Sequence, residues 1–185
     1  AVQKGLFTTL YNAKEGKLYF EIPDSAFGRT YILANRVAAT SNTRDFVAGQ
    51  IATQPLLIRF SKDERNVYIH QIQSSDIVAG TDPIESAFDK NFYDPVLKGF
   101  KIAAQNGKNV VIDVTAFFGA NEKAISPIKT DNPLSKLLGG ANSLKGTFVP
   151  DASGIVSSKC FPENIEIKSR LSFTLTPLGQ PYSVI

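Results

Sequence analysis

The sequence predicts an α+β domain dominated by antiparallel β-sheet, and three observations favour this class. Apolar and polar residues alternate along most of the chain with the two-residue period of a strand. Short clusters of turn residues separate these runs, as in successive hairpins. Three Asp-Pro or Asn-Pro pairs offer the starts of a few short helices. We expect a single domain that spans residues 1–185.

The strands are expected in three consecutive hairpins and one long run near the end. The first hairpin joins G-L-F-T-T-L-Y to K-L-Y-F-E-I through N-A-K-E-G, and the second joins L-L-I-R-F to V-Y-I-H-Q-I through S-K-D-E-R-N. The third joins F-K-I-A-A to V-V-I-D-V through Q-N-G-K-N. From Asn164 to Leu175, apolar residues alternate with charged and hydroxyl-bearing ones, which places one face on the core and the other in water.

Few helices are expected, and each follows a residue that can cap a helix and a proline suited to its first turn. The predicted helices cover about residues 83–92, 95–99 and 133–138. The strand K-L-Y-F-E-I is predicted to end at Pro23, where Asp24 or Ser25 caps a single helical turn that Gly28 closes.

Composition argues against several classes of protein. The chain of 185 residues is 43% hydrophobic and 20% charged, values typical of a folded globular domain rather than of a disordered segment or a membrane span. Its formal net charge of +3 is spread along the sequence without a basic run, so we expect no nucleic-acid partner. The sequence also contains no G-x-G-x-x-G motif and no phosphate-binding loop.

The two ends of the sequence predict a segment taken from a longer chain. The start, A-V-Q-K-G-L-F, has neither an initiator Met nor the apolar core of a signal peptide, and the end, P-Y-S-V-I, is an apolar, strand-like run. We also expect no transmembrane segment, because no apolar stretch is long enough for one.

Histidine and cysteine are too few for a zinc site of the usual kind. His70 is the sole histidine and Cys160 the sole cysteine, so this chain cannot supply two or three histidine ligands. His70 shares a strand face with Tyr68 and Ile72; packing against an aromatic ring is the simpler interpretation, and a catalytic or ligand role is the alternative. Cys160 is expected to be an ordinary thiol, although a Cys160/His70 nucleophile pair is chemically conceivable.

Three carboxylates, Glu21, Asp24 and Asp113, are the candidates for acid–base chemistry. Such chemistry needs two carboxylates that converge, and a separation in sequence does not show convergence. Asp113 shares a strand face with Val111 and Thr115, where a half-buried, hydrogen-bonded carboxylate is the simpler expectation and a functional role the alternative. We therefore assign no catalytic, cofactor-binding or metal-binding residue to this chain.

Five motifs, in order, resemble a known family. They are K-G-L-F, G-K-L-Y-F-E-I-P-D-S-x-x-G-R, Y-I-L-A-N-R-V, V-V-I-D-V-T-A-F-F and F-P-E-N-I-E-I-K-S-R-L-S-F, and they extend from Lys4 to Phe173. Together they resemble the N-terminal region of the large bacterial zinc-dependent metalloproteases. In that family the region is a domain of unknown function that precedes a metzincin-like peptidase domain.

The resemblance implies a non-catalytic N-terminal accessory domain. The family's peptidase domain carries an H-E-x-x-H helix that binds zinc, and this chain has no such motif, so zinc is expected only in the peptidase domain. The implied partner is the C-terminal peptidase domain of the same protein, which this chain would pack on or regulate. The family also implies a location outside the cytoplasm, in the periplasm, at the cell surface or secreted.

Other functions remain open on the sequence alone. The main alternative is a module that binds peptide or protein by adding a strand to an exposed sheet edge, and an edge without protective Lys, Pro or bulges would favour it. A glycan-binding or adhesion role would show an exposed, flat aromatic cluster. A stand-alone enzyme would bring Asp113, His70 and Glu21 into one pocket.

Overall fold

A computed structural model describes residues 1–43, 46–73, 93–126, 128, 146–176 and 179–185 of the chain. Within these ranges the protein is mainly antiparallel β-sheet, as the alternation and the turn residues predict. The α+β class itself is not confirmed, because the helices in these ranges are few and short.

Eight strands form the larger of two sheets. They are β1 (Val2–Lys4), β2 (Thr8–Asn12), β3 (Lys17–Ile22), β4 (Thr30–Leu33), β5 (Leu56–Lys62), β6 (Asn66–Gln71), β7 (Val96–Asn106) and β8 (Asn109–Asp113). Their order across the sheet is β1-β2-β3-β8-β7-β6-β5-β4, and each neighbouring pair is antiparallel. The three predicted hairpins are confirmed as β2–β3, β5–β6 and β7–β8.

The turns of these hairpins follow from their residues. Gly16 between β2 and β3 and Gly107 between β7 and β8 have φ angles of 64° and 61°, in the left-handed region that glycine adopts without strain. Between β5 and β6, the carboxylate of Asp63 accepts hydrogen bonds from the N–H groups of Arg65 and Asn66, both at 2.7 Å. An aspartate that bonds the backbone ahead of it stabilises a tight turn.

The larger sheet curls into a half-barrel. The ring of Phe7, between β1 and β2, has its centroid 5.7 Å from that of Phe60 in β5 and 5.8 Å from that of Tyr31 in β4. Since β2 and β5 are five positions apart in the strand order, a flat sheet would separate them by roughly 24 Å at the usual strand spacing. The contacts of Phe7 therefore require strong curvature, which encloses the main core.

Four strands form the smaller sheet: β9 (Gly146–Phe148), β10 (Gly154–Cys160), β11 (Ile165–Leu175) and β12 (Pro181–Val184). The alternating run predicted after Asn164 is confirmed as β11. The first half of β11 pairs with β10, and its second half pairs with β9 on one side and with β12 on the other. The β10 end of this sheet lies beside β1, because the N–H of Leu6 donates to the carbonyl oxygen of Phe161 at 2.7 Å.

Residues 30–41, which we call the crossover segment, carry the chain from the larger sheet to the smaller one. The segment begins as β4 and ends beside β12, where Thr40 pairs with Val184. The N–H groups of Ala38 and Ala39 both donate to the carbonyl oxygen of Ile185, at 2.6 and 3.2 Å, and both alanines are exposed. Two residues opposite one are the mark of a β-bulge, which shifts the alternation of the segment by one residue at this point.

Of the three helices predicted from the sequence, two lie outside the described residues and one is wrong. The predicted helices at about 83–92 and 133–138 lie outside the described residues. The predicted helix at 95–99 is wrong, because Val96 begins β7, whose first half pairs with β6. Asp94 caps no helix there: its carboxylate accepts a hydrogen bond from Arg59 and another from the N–H of Gln73, both at 3.3 Å. Pairing with β6 outweighs the local signal of an aspartate followed by proline.

Three short helical segments occur in the described part of the chain. The helix α1 (Thr115–Gly119), which was not predicted, buries Phe117, and two turns of 3-10 helix cover Asp24–Ala26 and Pro150–Ala152. The helical turn predicted after Pro23 is therefore confirmed. Its predicted cap is wrong, because no side chain caps this turn and the Asp24 carboxylate instead pairs with Lys62 at 2.6 Å.

Two apolar clusters make up the core. The larger one lies inside the curled sheet and is closed by α1 and by residues of β10 and β11. The smaller one lies around β12 and includes Val37 of the crossover segment, Phe173, Tyr182 and Val184. The crossover segment therefore contributes to both clusters, with Tyr31 and Leu33 packed against the first.

Candidate functional site

A cleft of about 1070 Å³ opens between the two sheets. The consecutive residues 29–38 form one wall, and the consecutive residues 162–169 form another. A strand that lines a cleft with one of its faces contributes every second residue, because successive side chains point to opposite faces. A strand that lines it with its edge contributes every residue. The cleft therefore runs along two edges of the backbone, one formed by β4 and the residues that follow it in the crossover segment, the other by the first half of β11.

The direction of the backbone groups in β5 determines which groups of β4 are paired. The N–H of Ile72 donates to the carbonyl oxygen of Leu57 at 2.8 Å, so the odd-numbered residues of β5 bond to β6. In an antiparallel sheet, alternate residues bond to opposite neighbours, so the even-numbered residues of β5 bond to β4. Phe60 follows this rule, since its carbonyl oxygen accepts a hydrogen bond from the N–H of Gly28 at 3.1 Å.

β4 consequently presents a free edge to the cleft. Tyr31 and Leu33 face the even-numbered residues of β5 in the register, and they direct their backbone groups toward that strand. Thr30 and Ile32 direct their N–H and C=O groups the other way. Among the described strands, β5 is the sole partner of β4, so this edge has no neighbour within the described ranges.

The first half of β11 presents a second edge that has no partner among the described strands. The N–H of Phe161 donates to the carbonyl oxygen of Asn164 at 2.8 Å, so the even-numbered residues that follow bond to β10. β12 covers the opposite edge of β11 only from Leu171 onward. The odd-numbered residues before that point direct their backbone groups toward the cleft; they are Ile165, Ile167 and Ser169.

Aromatic rings form the floor of the cleft. Phe7, Tyr31 and Phe60 meet with centroids 5.7 to 5.8 Å apart, and Phe20 lies 5.8 Å from Phe7. Burial raises the pKa of Tyr31. The rings meet edge to face and do not form the exposed, flat platform expected of a glycan-binding site. Such a floor suits apolar side chains.

Charged side chains stand on the rim of the cleft. Arg29 and Arg36 lie on the side of the crossover segment, Glu166 and Lys168 lie on the side of β11, and all four are exposed. Arg36 and Lys168 enter none of the ion pairs found in the described part of the chain.

His70 is a buried strand residue packed between aromatic rings, as the simpler interpretation of the sequence predicts. Its ring centroid lies 6.5 Å from that of Tyr68 and 5.9 Å from that of Tyr93. Its Nε2 lies 2.7 Å from the hydroxyl of Ser61, and its Nδ1 lies 3.1 Å from the carbonyl oxygen of Asp94. A neutral ring that donates from Nδ1 and accepts at Nε2 satisfies both nitrogens.

The contact between Ser61 and His70 resembles part of a nucleophile triad but lacks its orienting carboxylate. The carboxylate of Asp94 pairs with Arg59 at 3.3 Å, and only the backbone carbonyl of Asp94 reaches His70. Cys160 is not His70's partner either: its thiol donates to the carbonyl oxygen of Phe7 at 3.2 Å. The conceivable Cys160/His70 pair is therefore not formed.

Each of the three candidate carboxylates has its own hydrogen-bonding or ion-pair partners. Glu21 accepts hydrogen bonds from the amides of Asn106 and Asn109, at 2.8 and 3.1 Å. Asp24 forms its ion pair with Lys62, whose hydrogen bond and charge lower the pKa of that carboxyl. Neither contact involves a second carboxylate, so no acid–base pair arises here.

Asp113 holds the start of α1 to β3. Its carboxylate accepts a hydrogen bond from the N–H of Thr115 at 2.9 Å and pairs with Lys17 at 3.3 Å. Burial alone would raise the pKa of Asp113, but the hydrogen bonds from Thr115 and Lys17 outweigh it and keep the pKa below its usual value. These contacts match the simpler expectation of a half-buried, hydrogen-bonded carboxylate. They connect Asp113 neither to Glu21 nor to His70.

Two other kinds of site are not found in the ranges that the structure covers. No three His, Cys, Asp or Glu side chains in the described residues are grouped so that they could hold a metal ion. No helix among the described elements is both long enough and apolar enough to cross a membrane.

The residues of the cleft were not identified from the sequence. The motif Y-I-L-A-N-R-V, which contains most of one wall, drew notice only through its resemblance to a family. A usable signal is that T-Y-I-L combines strand-forming residues with neither charge nor proline, which are the protections expected of a strand at a sheet edge. That signal has meaning only once the position of β4 in the sheet is known.

Two family models match the chain. Residues 49–184 match DUF5117, a domain of unknown function, and residues 1–40 match DUF5118, also a domain of unknown function. No curated protein and no solved structure matches it. The two matched segments share the larger sheet, since β3 and β4 in residues 1–40 pair with β8 and β5 in residues 49–184. The cleft lies between them, with β4 from one and β11 from the other.

Proposed function

The chain belongs to the DUF5117 family of domains of unknown function, and we propose that it is a non-catalytic module that binds an extended polypeptide segment in its cleft. The segment adds a strand to the free edge of β4 and places alternate side chains over the aromatic floor. The observation that carries the proposal is the unprotected edge of β4. Its sequence, T-Y-I-L, contains none of the Lys or Pro residues that usually keep an exposed edge from pairing.

The expected affinity for a short peptide is modest. Each backbone hydrogen bond contributes about 1 kcal/mol, and each apolar side chain that is buried contributes about 2 kcal/mol. Ordering the backbone costs about 1 kcal/mol or more for each residue, and association has its own entropic cost. A free six-residue peptide should therefore bind with a Kd on the order of 10 μM to 1 mM. A segment that a folded partner already holds in an extended conformation would bind more tightly, because its backbone loses less conformational entropy on binding.

We propose that the natural segment is part of the peptidase domain that follows this region in the zinc metalloproteases it resembles. The chain would then be a structural or regulatory domain of an extracytoplasmic protease, with zinc and catalysis confined to the peptidase domain. The separate partners of Glu21, His70 and Asp113 support a non-catalytic role for this part. The edges of β4 and β11 line the cleft, and backbone groups on a strand edge bond to another extended chain, so they support a polypeptide as the ligand.

The test of the cleft uses a fluorescein-labelled peptide of alternating Val and Thr, Val-Thr-Val-Thr-Val-Thr, and fluorescence anisotropy. Ile32→Pro removes an N–H that faces the cleft and leaves the bonds between β4 and β5 in place. Ile32→Ala removes only the side chain and serves as the matched control. We expect Ile32→Pro to weaken binding at least tenfold and Ile32→Ala to change it less than threefold. If the wild type, Ile32→Pro and Ile32→Ala bind the peptide equally, the edge of β4 is not the binding site.

The test of the partner uses calorimetry with the separately produced peptidase domain of the same protein and zinc present. The proposal predicts binding that Ile32→Pro weakens and that the free peptide inhibits. Binding that neither Ile32→Pro nor the peptide affects would show that the two domains meet elsewhere. No heat of binding would assign the cleft to a different polypeptide.

A further inference from the structure

We infer that the bound segment lies in line with β12, antiparallel to both β4 and β11, and that it carries an acidic side chain between Arg36 and Lys168. This inference rests on the proposed function of the cleft and specifies its ligand. It follows from the pairing at the end of β12, the directions of two free edges and the register of the strands.

β12 lies between β11 and the end of the crossover segment. Val184 pairs with Leu171 of β11 on one side and with Thr40 of the crossover segment on the other. One residue further, the N–H of Ile185 donates to the carbonyl oxygen of Ala39 at 2.9 Å. β11 and the crossover segment both run antiparallel to β12, so their residues of lower number extend beyond the end of β12 at Ile185. These residues form the two walls of the cleft. The cleft therefore lies in line with β12, beyond its last residue.

The crossover segment has β5 and β12 on opposite edges. Before the bulge at Ala38 and Ala39, the inward-facing residues of the segment direct their backbone groups toward β5. Val37 is an example: its N–H donates to the carbonyl oxygen of Gln50 at 2.9 Å, and its carbonyl oxygen accepts from the N–H of Gly49 at 2.7 Å, both in the loop before β5. After the bulge, the exposed Ala39 bonds to Ile185. Inward-facing and outward-facing residues of a strand direct their backbone groups to opposite edges.

The free edge of the segment is thus the edge that faces the β12 line. The backbone groups on this edge, away from β5, belong to the exposed residues Thr30, Ile32, Ala34 and Arg36, and they pair with no described strand. Across the cleft, the unpaired groups of β11 lie on the edge that β12 covers further on. A strand in line with β12 would bond to both edges at once and would join the two sheets.

The register places two cations beside one position of this strand. Counting from the pair of Leu171 and Val184, Lys168 lies opposite the second position past Ile185. Counting from the bulge, where Ala38 faces Ile185, Arg36 lies opposite the same position. Two independent pairings therefore converge on one residue of the bound segment.

The side chain at that position faces the solvent. Val184 is 3% exposed and points to the core, so alternation turns the position three residues further on outward, beside the exposed side chains of Arg36 and Lys168. Opposite charges on neighbouring strands attract, and like charges repel. Glu or Asp is favoured there, and Lys or Arg is disfavoured. The next outward position lies beside Ala34 and Glu166, where a neutral or basic residue fits.

The charge test compares two labelled peptides, Val-Glu-Val-Thr-Val-Thr and Val-Lys-Val-Thr-Val-Thr, by fluorescence anisotropy. We expect the first to bind about tenfold more tightly at low salt, because two cross-strand pairs change sign. In the double variant Arg36→Glu/Lys168→Glu, the preference should reverse. The matched control, Lys14→Glu/Lys108→Glu, changes the net charge equally at two exposed turn residues and should leave the preference unchanged.

The orientation test uses a nitroxide at one end of the glutamate peptide and the amide resonances of the protein. With the label at the N-terminus, we expect broadening near the end of β12, at Ala38 and Ser169. With the label at the C-terminus, we expect broadening at Ile32 and Ile165. The reverse pattern would show a parallel segment and would overturn the inference.

The outcomes distinguish the inference from the function on which it rests. If neither peptide binds, the proposed function fails and the inference falls with it. If both peptides bind equally, and only Ile32→Pro weakens them, the proposed function stands and the inference is wrong. A preference for glutamate that the double variant reverses supports both.

Discussion

The N–H of Ile185 donates to the carbonyl oxygen of Ala39 at 2.9 Å, and this hydrogen bond marks the place where the crossover segment changes from a paired to an open edge. On the side of Thr40, the segment lies against β12. On the side of Thr30, the same edge lines the cleft and has no neighbour among the described strands. One segment of the chain thus lies against β12 at one end and lines the cleft at the other.

Gly5 tests the contact between the two sheets. A Cβ at Gly5 would lie 2.3 Å from the carbonyl oxygen of Phe161, which also accepts the hydrogen bond from Leu6. Because that oxygen belongs to the backbone, it moves only if β10 moves, and we expect Gly5→Ala to reduce the free energy of unfolding by about 2 kcal/mol. Urea denaturation measures the change.

The control for Gly5→Ala is Gly99→Ala. The nearest atoms to a Cβ at Gly99 belong to the ring of Tyr68, at 3.4 Å, an ordinary contact. We expect a change of less than about 0.5 kcal/mol for this variant. Equal effects of the two substitutions would show that the approach of β10 to Gly5 contributes little to stability.

Phe7 tests the curvature of the larger sheet. Its side chain is 4% exposed and contacts rings from both ends of the strand order. We expect Phe7→Ala to destabilise the fold by about 3 to 4 kcal/mol and to open the cleft. Phe161→Ala, at a ring that is 40% exposed, is the control and should cost less than about 1 kcal/mol. Similar losses for both would contradict the structural role of Phe7.

The pH dependence of stability tests the role of the Asp63 carboxylate in the turn between β5 and β6. Hydrogen bonds from the N–H of Arg65, the hydroxyl of Tyr68 and the N–H of Asn66 lower the pKa of Asp63 from 3.8 to about 2. Since the folded pKa is below the unfolded one, the stability from Asp63 is fully present above pH 3.8 and is lost as the pH falls through about 2.

The measurement for Asp63 compares denaturation of the wild type and Asp63→Asn between pH 5 and pH 2. The asparagine keeps an acceptor for the turn but cannot carry the charge, so the wild type should be the more stable at pH 5 and the difference should shrink toward pH 2. Asp151→Asn, at another exposed carboxylate, is the control. A difference that stays constant with pH would show that the charge of Asp63 does not contribute.

The strands could be predicted from the sequence because their signals are local. The alternation around Leu18 and Phe20, and the turns at Gly16 and Gly107, depend on neighbours a few residues away. The helix expected after Asp94 failed because β6, more than twenty residues earlier in the sequence, pairs with the first half of β7. α1 escaped prediction because its residues T-A-F-F-G favour strands as much as helices.

The cleft could not be predicted because it depends on the order of strands in space. Nothing near Ile32 indicates that β4 will end the larger sheet, and nothing near Ile167 indicates that β12 will cover only half of β11. His70, which the sequence did single out, satisfies its nitrogens with Ser61 and Asp94 and takes no part in the cleft. A lone histidine was therefore a poorer guide to the site than an uncharged edge strand.

Amide hydrogen exchange on the whole chain, with and without the glutamate peptide, tests the central claim most directly. In the free protein, the amides of Ile32 and Ile167 should exchange much faster than those of their paired neighbours Leu33 and Lys168. Saturating peptide should slow both Ile32 and Ile167, because one strand bonds to both edges. Protection of neither amide, or of amides elsewhere in the chain, would contradict the account of the cleft.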